Sequence, residues 1–201
     1  EMGINIFYEY PTYPWEQELL TEKRFLFYLI DKIQFSKLER LVDKLVIVGA
    51  DKKEYSDFEN YTVISNGIRV KNIPISEPTP FYNELNLIGV ANVNIFHGYD
   101  RLIKGLAKYY EKPRKIKVKF HIVGGISKGL NLKKMVKSLD LEEYVFFHGY
   151  KEGEELDKVF NKSHIGIGCL GMHRKNVTYL NSLKNREYTA RGIPFIYSEN
   201  D

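Results

Sequence analysis

Between Lys158 and Arg186 the sequence carries six Lys and Arg, at 158, 162, 174, 175, 184 and 186, and no Asp or Glu. Glu187 follows at once. A run of cations closed by a single carboxylate suits a site for something anionic, with the acid kept for a different job. Arg174 and Lys175 fall in a loop that opens with Gly171. Lys184 falls in the first turn of a predicted helix, where free N–H groups favour phosphate. Lys158 and Lys162 read as solvated surface cations, and Arg186 as a partner for a carboxylate or for solvent. Farther back, His97 stands directly before Gly98 and a helix start; an imidazole there can donate to a phosphate whether neutral or charged. His121 and His148 sit inside strand patterns and read as structural. No two histidines have metal spacing.

The elements that must position these groups alternate. The last stretch, SLKNREYTARGIPFIYS, reads as a Ser182 cap, an amphipathic helix over Leu183–Ala190, a stop at Gly192 and a buried strand over Pro194–Tyr197. Upstream, strands are predicted over Leu85–Val90, Ile116–Val123, Tyr144–His148 and Ile165–Leu170. Helices are predicted over Gly98–Tyr110, Leu130–Leu139 and Glu152–Asn161. That pattern is a series of βαβ units with a parallel sheet, whose ligands bind beyond the carboxyl ends of the strands. The loops there are Ala91–His97, Gly124–Lys128, Gly149–Gly153 and Gly171–Ser182. Glycine ends many strands for conformational reasons alone, but four such loops on one edge argue for a site. Asp100 is expected to cap the first turn of its helix. Before this region, strands are predicted over Ile4–Tyr8, Lys44–Val48 and Val63–Ile64. Tyr10–Pro14 reads as a rigid turn, and helices are expected over most of Trp15–Leu41 and over Asp51–Phe58. Residues 70–80, with Pro74, Pro78 and Pro80, read as a linker.

Composition narrows the function. In 201 residues, 43% are hydrophobic, which is ordinary for a globular core of one large or two small domains. The net charge of +4 is unevenly spread: residues 1–60 sum to −4 and residues 61–201 to +8, so the second part is the anion binder. A basic helix with groove-reading periodicity is missing, which disfavours nucleic acid. One cysteine, Cys169, excludes an internal disulfide and a cysteine zinc cluster. No apolar run is long enough to span a bilayer, and the default compartment is a reducing cytoplasm. VGGISKG at Gly124 lacks the G-x-G-x-x-G dinucleotide fingerprint, because Ile126 stands at the second glycine, and no P-loop is present. Asp140-Leu141-Glu142 looks like a D-x-D metal motif but falls between a helix and a strand at the wrong edge, so no metal is expected. Glu1 precedes Met2 and Asp201 directly follows a strand, so the chain is expected to be part of a longer one.

NLIGVANVNIFHGYDRLIKGLAKYY, KFHIVGG, VFFHGYKEGEELDKVFNKSHIGIGCLG and SLKNREYTARGIPFIY together resemble the donor-binding domain of a GT-B glycosyltransferase. The resemblance is to the family-4-like group that builds bacterial capsules and other surface polysaccharides, and it is strongest from Leu85 to Ser198. It implies an α/β fold of GT-B type, a Rossmann-like parallel sheet flanked by helices. Residues 1–68 would be the end of an acceptor-binding domain, 69–82 a linker, and 83–201 an incomplete nucleotide-sugar-binding domain.

The resemblance implies transfer of a sugar from a nucleotide-sugar donor to a glycan or lipid-linked acceptor. The configuration would be retained, with no metal and no cofactor besides the donor. Glu187 matches the ribose-binding glutamate, the second of the family's E-x7-E pair; Tyr179 stands at the first. His97 stands where the family has Lys, and neither Val90 nor Ala91 supplies its usual Arg. His97, Arg174 and Lys184 are the expected catalytic groups, neutralising the diphosphate. Backbone at Gly149 and Tyr150 is expected to hold the base, with Asn92, Gly98, Gly124 and Leu183 also lining the donor. The expected location is cytoplasmic, with peripheral contact at the inner membrane face as an extension. A non-catalytic nucleotide-sugar or glycan-binding module and a nucleotide-sugar epimerase remain as alternatives.

Overall fold

The computed structural model describes residues 4–10, 29–30, 33, 37, 41–48, 60–77, 79–175 and 181–198. The expected turn at 11–14, nearly all of the helix at 15–41, the helix at 51–58 and Tyr179 lie outside these residues. The chain divides into two compact units, one holding residues up to Asn66 and the other running from Gly67 to Arg174 and from Ser182 to Glu199.

In the first unit, β1 (Phe7–Tyr10), β2 (Lys44–Val48) and β3 (Tyr61–Ile64) pair in parallel in that order. β2 has the predicted bounds. β1 begins later than expected, at Phe7 rather than Ile4, because pairing starts with Phe7 opposite Lys44. Leu45 and Ile47 are its buried centre, packed by Tyr10, Tyr61 and Val63.

The second unit carries the longer sheet: β4 (Glu84–Val90), β5 (Lys117–Val123), β6 (Val145–Gly149), β7 (Ile165–Ile167) and β8 (Phe195–Ile196). All neighbours are parallel, in the order β6-β5-β4-β7-β8. Helices α1 (Tyr99–Tyr110), α2 (Leu132–Ser138), α3 (Gly153–Phe160) and α4 (Leu183–Ala190) fill the crossovers.

Alternation along the strands sends side chains to opposite faces. Leu87, Phe120, Ile122, Val145 and Ile167 pack with Tyr99, Ile103 and Leu106 of α1 and with Leu132 and Val136 of α2. Ile88 and Val123 face the other way, toward Phe160 of α3 and Tyr188 of α4. This is a doubly wound Rossmann-like sheet, as the sequence predicts. The strand order reverses between β4 and β7, which opens a crevice at their carboxyl ends.

β7 is shorter than predicted. After Ile167 the chain leaves the ladder: Leu170 N–H donates to His97 O at 3.0 Å and Gly171 N–H to Phe96 O at 3.1 Å. β8 likewise shrinks to Phe195–Ile196, since Pro194 has no N–H to give and offers only its carbonyl, to Gly166 N–H at 2.8 Å. The proline-rich segment is fastened to this unit. Ser76 N–H donates to Arg191 O, Thr79 Oγ1 to Asn161 O, and Glu77 N–H to Asn161 Oδ1.

Candidate functional site

The loop after β4 turns into a short 3-10 helix, Ile95–His97, capped by Asn94. Asn94 Oδ1 accepts from Ile95 N–H at 2.7 Å, and His97 Nδ1 accepts from Asn94 N–H at 2.8 Å. Because Nδ1 is an acceptor, the neutral ring carries its proton on Nε2. His97 is thus a buried imidazole with a fixed tautomer and one donor nitrogen. Gly98 follows in the left-handed region at φ 67°. A Cβ there would lie 2.7 Å from the Leu170 carbonyl carbon and 2.8 Å from Gly171 N. Glycine is therefore required twice, once for its dihedrals and once for the approach of the β7 loop.

Arg174 sits in a 3-10 turn, Met172–Lys175, on that β7 loop. Its Nη1 and Nη2 donate to Asp100 Oδ1 and Oδ2, both at 2.8 Å, and Nη1 also reaches Ile95 O at 2.7 Å. The bidentate guanidinium holds the Asp100 carboxyl below the usual carboxylate range. Arg101 adds a bond from Nη1 to Leu170 O. Asp100, expected only as a helix cap, lies in the first turn of α1 and is the partner of Arg174. Arg174 therefore clasps the loops after β4 and β7 together.

The loop after β5 is sewn to its neighbours as well. Ala91 N–H donates to Val123 O, Gly124 N–H to Gly149 O, and Val93 N–H to Gly125 O. Gly124 has φ 115°, and a Cβ there would fall on the Ala91 carbonyl oxygen. Gly149 and Tyr150 end β6 at this edge. Tyr150 is exposed and donates from its hydroxyl to Glu152 Oε2 at 2.9 Å. Asn92 is exposed in the β4 loop, and Leu183 is exposed at the start of α4. Gly98, Gly124, Gly149, Asn92 and His97 thus follow the carboxyl ends of adjacent parallel strands on one edge.

α4 differs from its predicted character. Ser182 occupies the N-cap position without a side-chain capping bond. The helix is not amphipathic in the apolar sense: it buries Asn185 and Tyr188. Tyr188 lies under the switch point, donating to Ile167 O at 3.1 Å and accepting from Val90 N–H at 3.2 Å, and burial pushes its phenol upward. This buried tyrosine was missed by sequence reasoning, although it directly follows Glu187. Lys184 turns its ammonium inward, 6.0 Å from the ring centre of Tyr99. Glu187 Oε1 accepts from Arg191 Nε at 3.0 Å, and Arg191 Nη1 reaches Asp157 Oδ1 at 2.7 Å. Arg191 is buried against Phe160, with its guanidinium carbon 4.1 Å from the ring centre. It is placed by i, i+4 spacing from Glu187, a signal the sequence does contain.

His164 is structural: its Nδ1 accepts from Asn86 N–H at 2.9 Å. Among the described residues no cluster of three metal-ligating side chains occurs, and no helix is long and apolar enough to cross a membrane.

Comparison with known proteins places this geometry. A sucrose-phosphate synthase from Thermosynechococcus elongatus superposes with a TM-score of 0.68 at 16% identity, over 96% of this chain and 50% of that one. Anabaena HepE in complex with UDP and glucose gives 0.63 at 14% identity, over 84% and 48%. S. aureus TarM in complex with fondaparinux, alpha-GlcNAc-glycerol and UDP gives 0.59 at 19% identity, over 81% and 31%. The chain spans about a third to a half of the length of these structures. At such identities the likeness is one of fold, the Rossmann-like sheet of GT-B glycosyltransferases. No curated protein matches the sequence. The family description "Glycosyl transferases group 1" matches residues 75–198, more than half of the sequence. The chain belongs to the glycosyl transferases group 1 family.

Proposed function

We propose that this chain carries the nucleotide-sugar-binding part of a glycosyltransferase that moves a sugar onto a glycan or lipid-linked acceptor. The pathway is bacterial surface-polysaccharide synthesis of the capsular, family-4-like kind. Residues 83–201 form the donor domain, 1–68 the end of the acceptor domain and 69–82 the link between them. The reaction retains configuration, needs no metal ion, and runs at the inner face of the cytoplasmic membrane.

One observation carries the reading. In a chain of this family, the switch-point edge presents a histidine of fixed tautomer, with its donor nitrogen on Nε2, at a glycine turn clasped by Arg174. Sugar transfer leaves a diphosphate of growing negative charge, and donors oriented in advance toward that charge lower the barrier most. His97 supplies an N–H to a diphosphate oxygen. Arg174, paired with Asp100, holds the β7 loop at that point, and the α4 N-terminus, with Lys184 in its first turn, faces the same edge. Glu187 takes the ribose hydroxyls with its carboxylate, which Arg191 keeps oriented. The backbone at Gly149 and Tyr150 holds the base.

Calorimetric titration of the full-length protein with UDP, GDP and ADP, without metal, tests this. One nucleotide should bind, and Glu187→Ala should weaken it about tenfold, the loss of one charge-assisted hydrogen bond. Binding that Glu187→Ala leaves unchanged would remove Glu187 from the ribose; no binding of any nucleotide would overturn the donor-domain reading.

A further inference from the structure

Away from the switch point, on the α3 side of the β5–β6 edge, three rings stand in a row. His121 stacks on Phe146 at 5.1 Å and 15°, and on His148 at 5.2 Å and 29°. Their protons are set by their neighbours. Asn86 turns its Oδ1 toward His121. An amide oxygen only accepts, so His121 Nε2–H donates to it at 3.3 Å. His121 Nδ1 is then an acceptor, and His148 Nε2–H supplies its bond at 3.0 Å. His148 Nδ1 is the nitrogen of this pair that can take up a proton without breaking the chain.

A cavity of about 400 Å³ opens along these two histidines. Its other wall is α3 and the turn at each end, which bring Lys151, Glu155, Lys158 and Lys162 at spacings of three and four, one face of a helix. Lys151 and Glu155 pair at 3.0 Å, leaving the charge of Lys158 and Lys162 for the cavity. Val159, the imidazole faces and the lysine stems make the rest of the lining apolar. The volume falls in the range of small-molecule pockets and is far larger than a lone phosphate needs.

We propose that this cavity is a second binding site, on the α3 side of the sheet and meeting the Gly149–Gly153 loop through Lys151, for a small molecule bearing an oxyanion, a phosphate monoester or a carboxylate, on an apolar body. Lys158 and Lys162 attract the oxyanion, His148 Nδ1 donates to it once protonated, and Val159 and the two imidazoles take the apolar body.

The sign of the pH dependence follows. Burial lowers both imidazoles, His121 to about 4, so the row is neutral near pH 7. A bound anion favours protonated His148, so binding takes up a proton and strengthens as pH falls. Lys151, Lys158 and Lys162 from the α3 side, and Lys119 from β5, oppose that proton. Glu155 and Glu84 favour it.

The test is a titration of the full-length protein with phenyl phosphate, inorganic phosphate and benzoate, followed through the ring resonances of its histidines. His148 should move saturably toward imidazolium values, more tightly at about pH 6 than at about pH 7.5. Phenyl phosphate or benzoate should bind better than inorganic phosphate, and whichever is tighter names the oxyanion. The double variant Lys158→Gln, Lys162→Gln changes only exposed positions and should weaken binding about tenfold or more. No saturable movement with any of the three, undiminished binding in the double variant, or movement confined to histidines other than His121 and His148 would each overturn the site.

Discussion

The two faces of the five-stranded sheet are built from alternate residues of the same strands, yet they are different materials. The α1–α2 face is a continuous apolar cluster, with Phe120, Tyr99, Ile103 and Ile122 all but inaccessible. The α3–α4 face has a smaller apolar centre of Ile88, Val123, Phe160, Tyr188 and Ile193, framed by polar groups. Arg191 lies between Glu187 and Asp157, Tyr188 reaches backbone atoms of three strand residues, and the histidine row lies along the β5–β6 edge. One face supplies most of the burial that stabilises the sheet. The other spends buried positions on charge and hydrogen bonding, which cost more to desolvate and hold groups in fixed orientations.

That contrast can be broken. The largest effect should come from Phe120→Ala on the apolar face, a loss of about 3–5 kcal/mol through transfer and cavity terms, read by urea unfolding. Arg191→Met on the polar face keeps much of the volume over Phe160 but strands two carboxylates that still see solvent. It should cost about 1–3 kcal/mol. Equal losses in the two variants would mean that the polar face bears as much of the stability as the apolar one.

The remaining effect is one of pH. His121 is pushed down to about 4 in the fold, chiefly by burial, against roughly 6.5 in an unfolded chain. Between those values the unfolded chain binds the extra proton, so stability is intact above about pH 6.5 and declines as pH falls toward about 4. His121→Gln should flatten that decline without changing the slope on the alkaline side. An unchanged acid slope would take the buried imidazole out of the polar face's energetics.

The apolar face was the more legible of the two. Parallel strands buried on both sides read as apolar runs between glycines, and each of β4 to β8 lies where its run predicts, within a few residues. The four glycine loops fall on one edge because parallel strands all end there. What the sequence hides is which polar residues meet. Asp100 and Arg174 are 74 residues apart, and only the β4–β7 adjacency brings them together. His121, His148 and Asn86 are joined across β4, β5 and β6 in the same way. Periodicity reports which face a residue occupies, not its neighbour on the next strand. Tyr188 escaped for another reason: spacing within a short helix does not say which of its polar residues are buried, and here both Tyr188 and Arg191 are.

The strand order has a consequence for how the protein is made. β4 is the centre of its sheet, bonded to β5 on one side and β7 on the other. β5 emerges soon after β4 in synthesis, but β7 comes roughly 75 residues after β4 ends, several seconds later at typical rates of translation. For that interval the Leu87–Ile88 edge of β4 has no strand to close it, while its other edge is already paired. A nascent chain halted before Ile165 should therefore aggregate or recruit a chaperone through that edge, and release of Ile165–Ile167 should end the exposure.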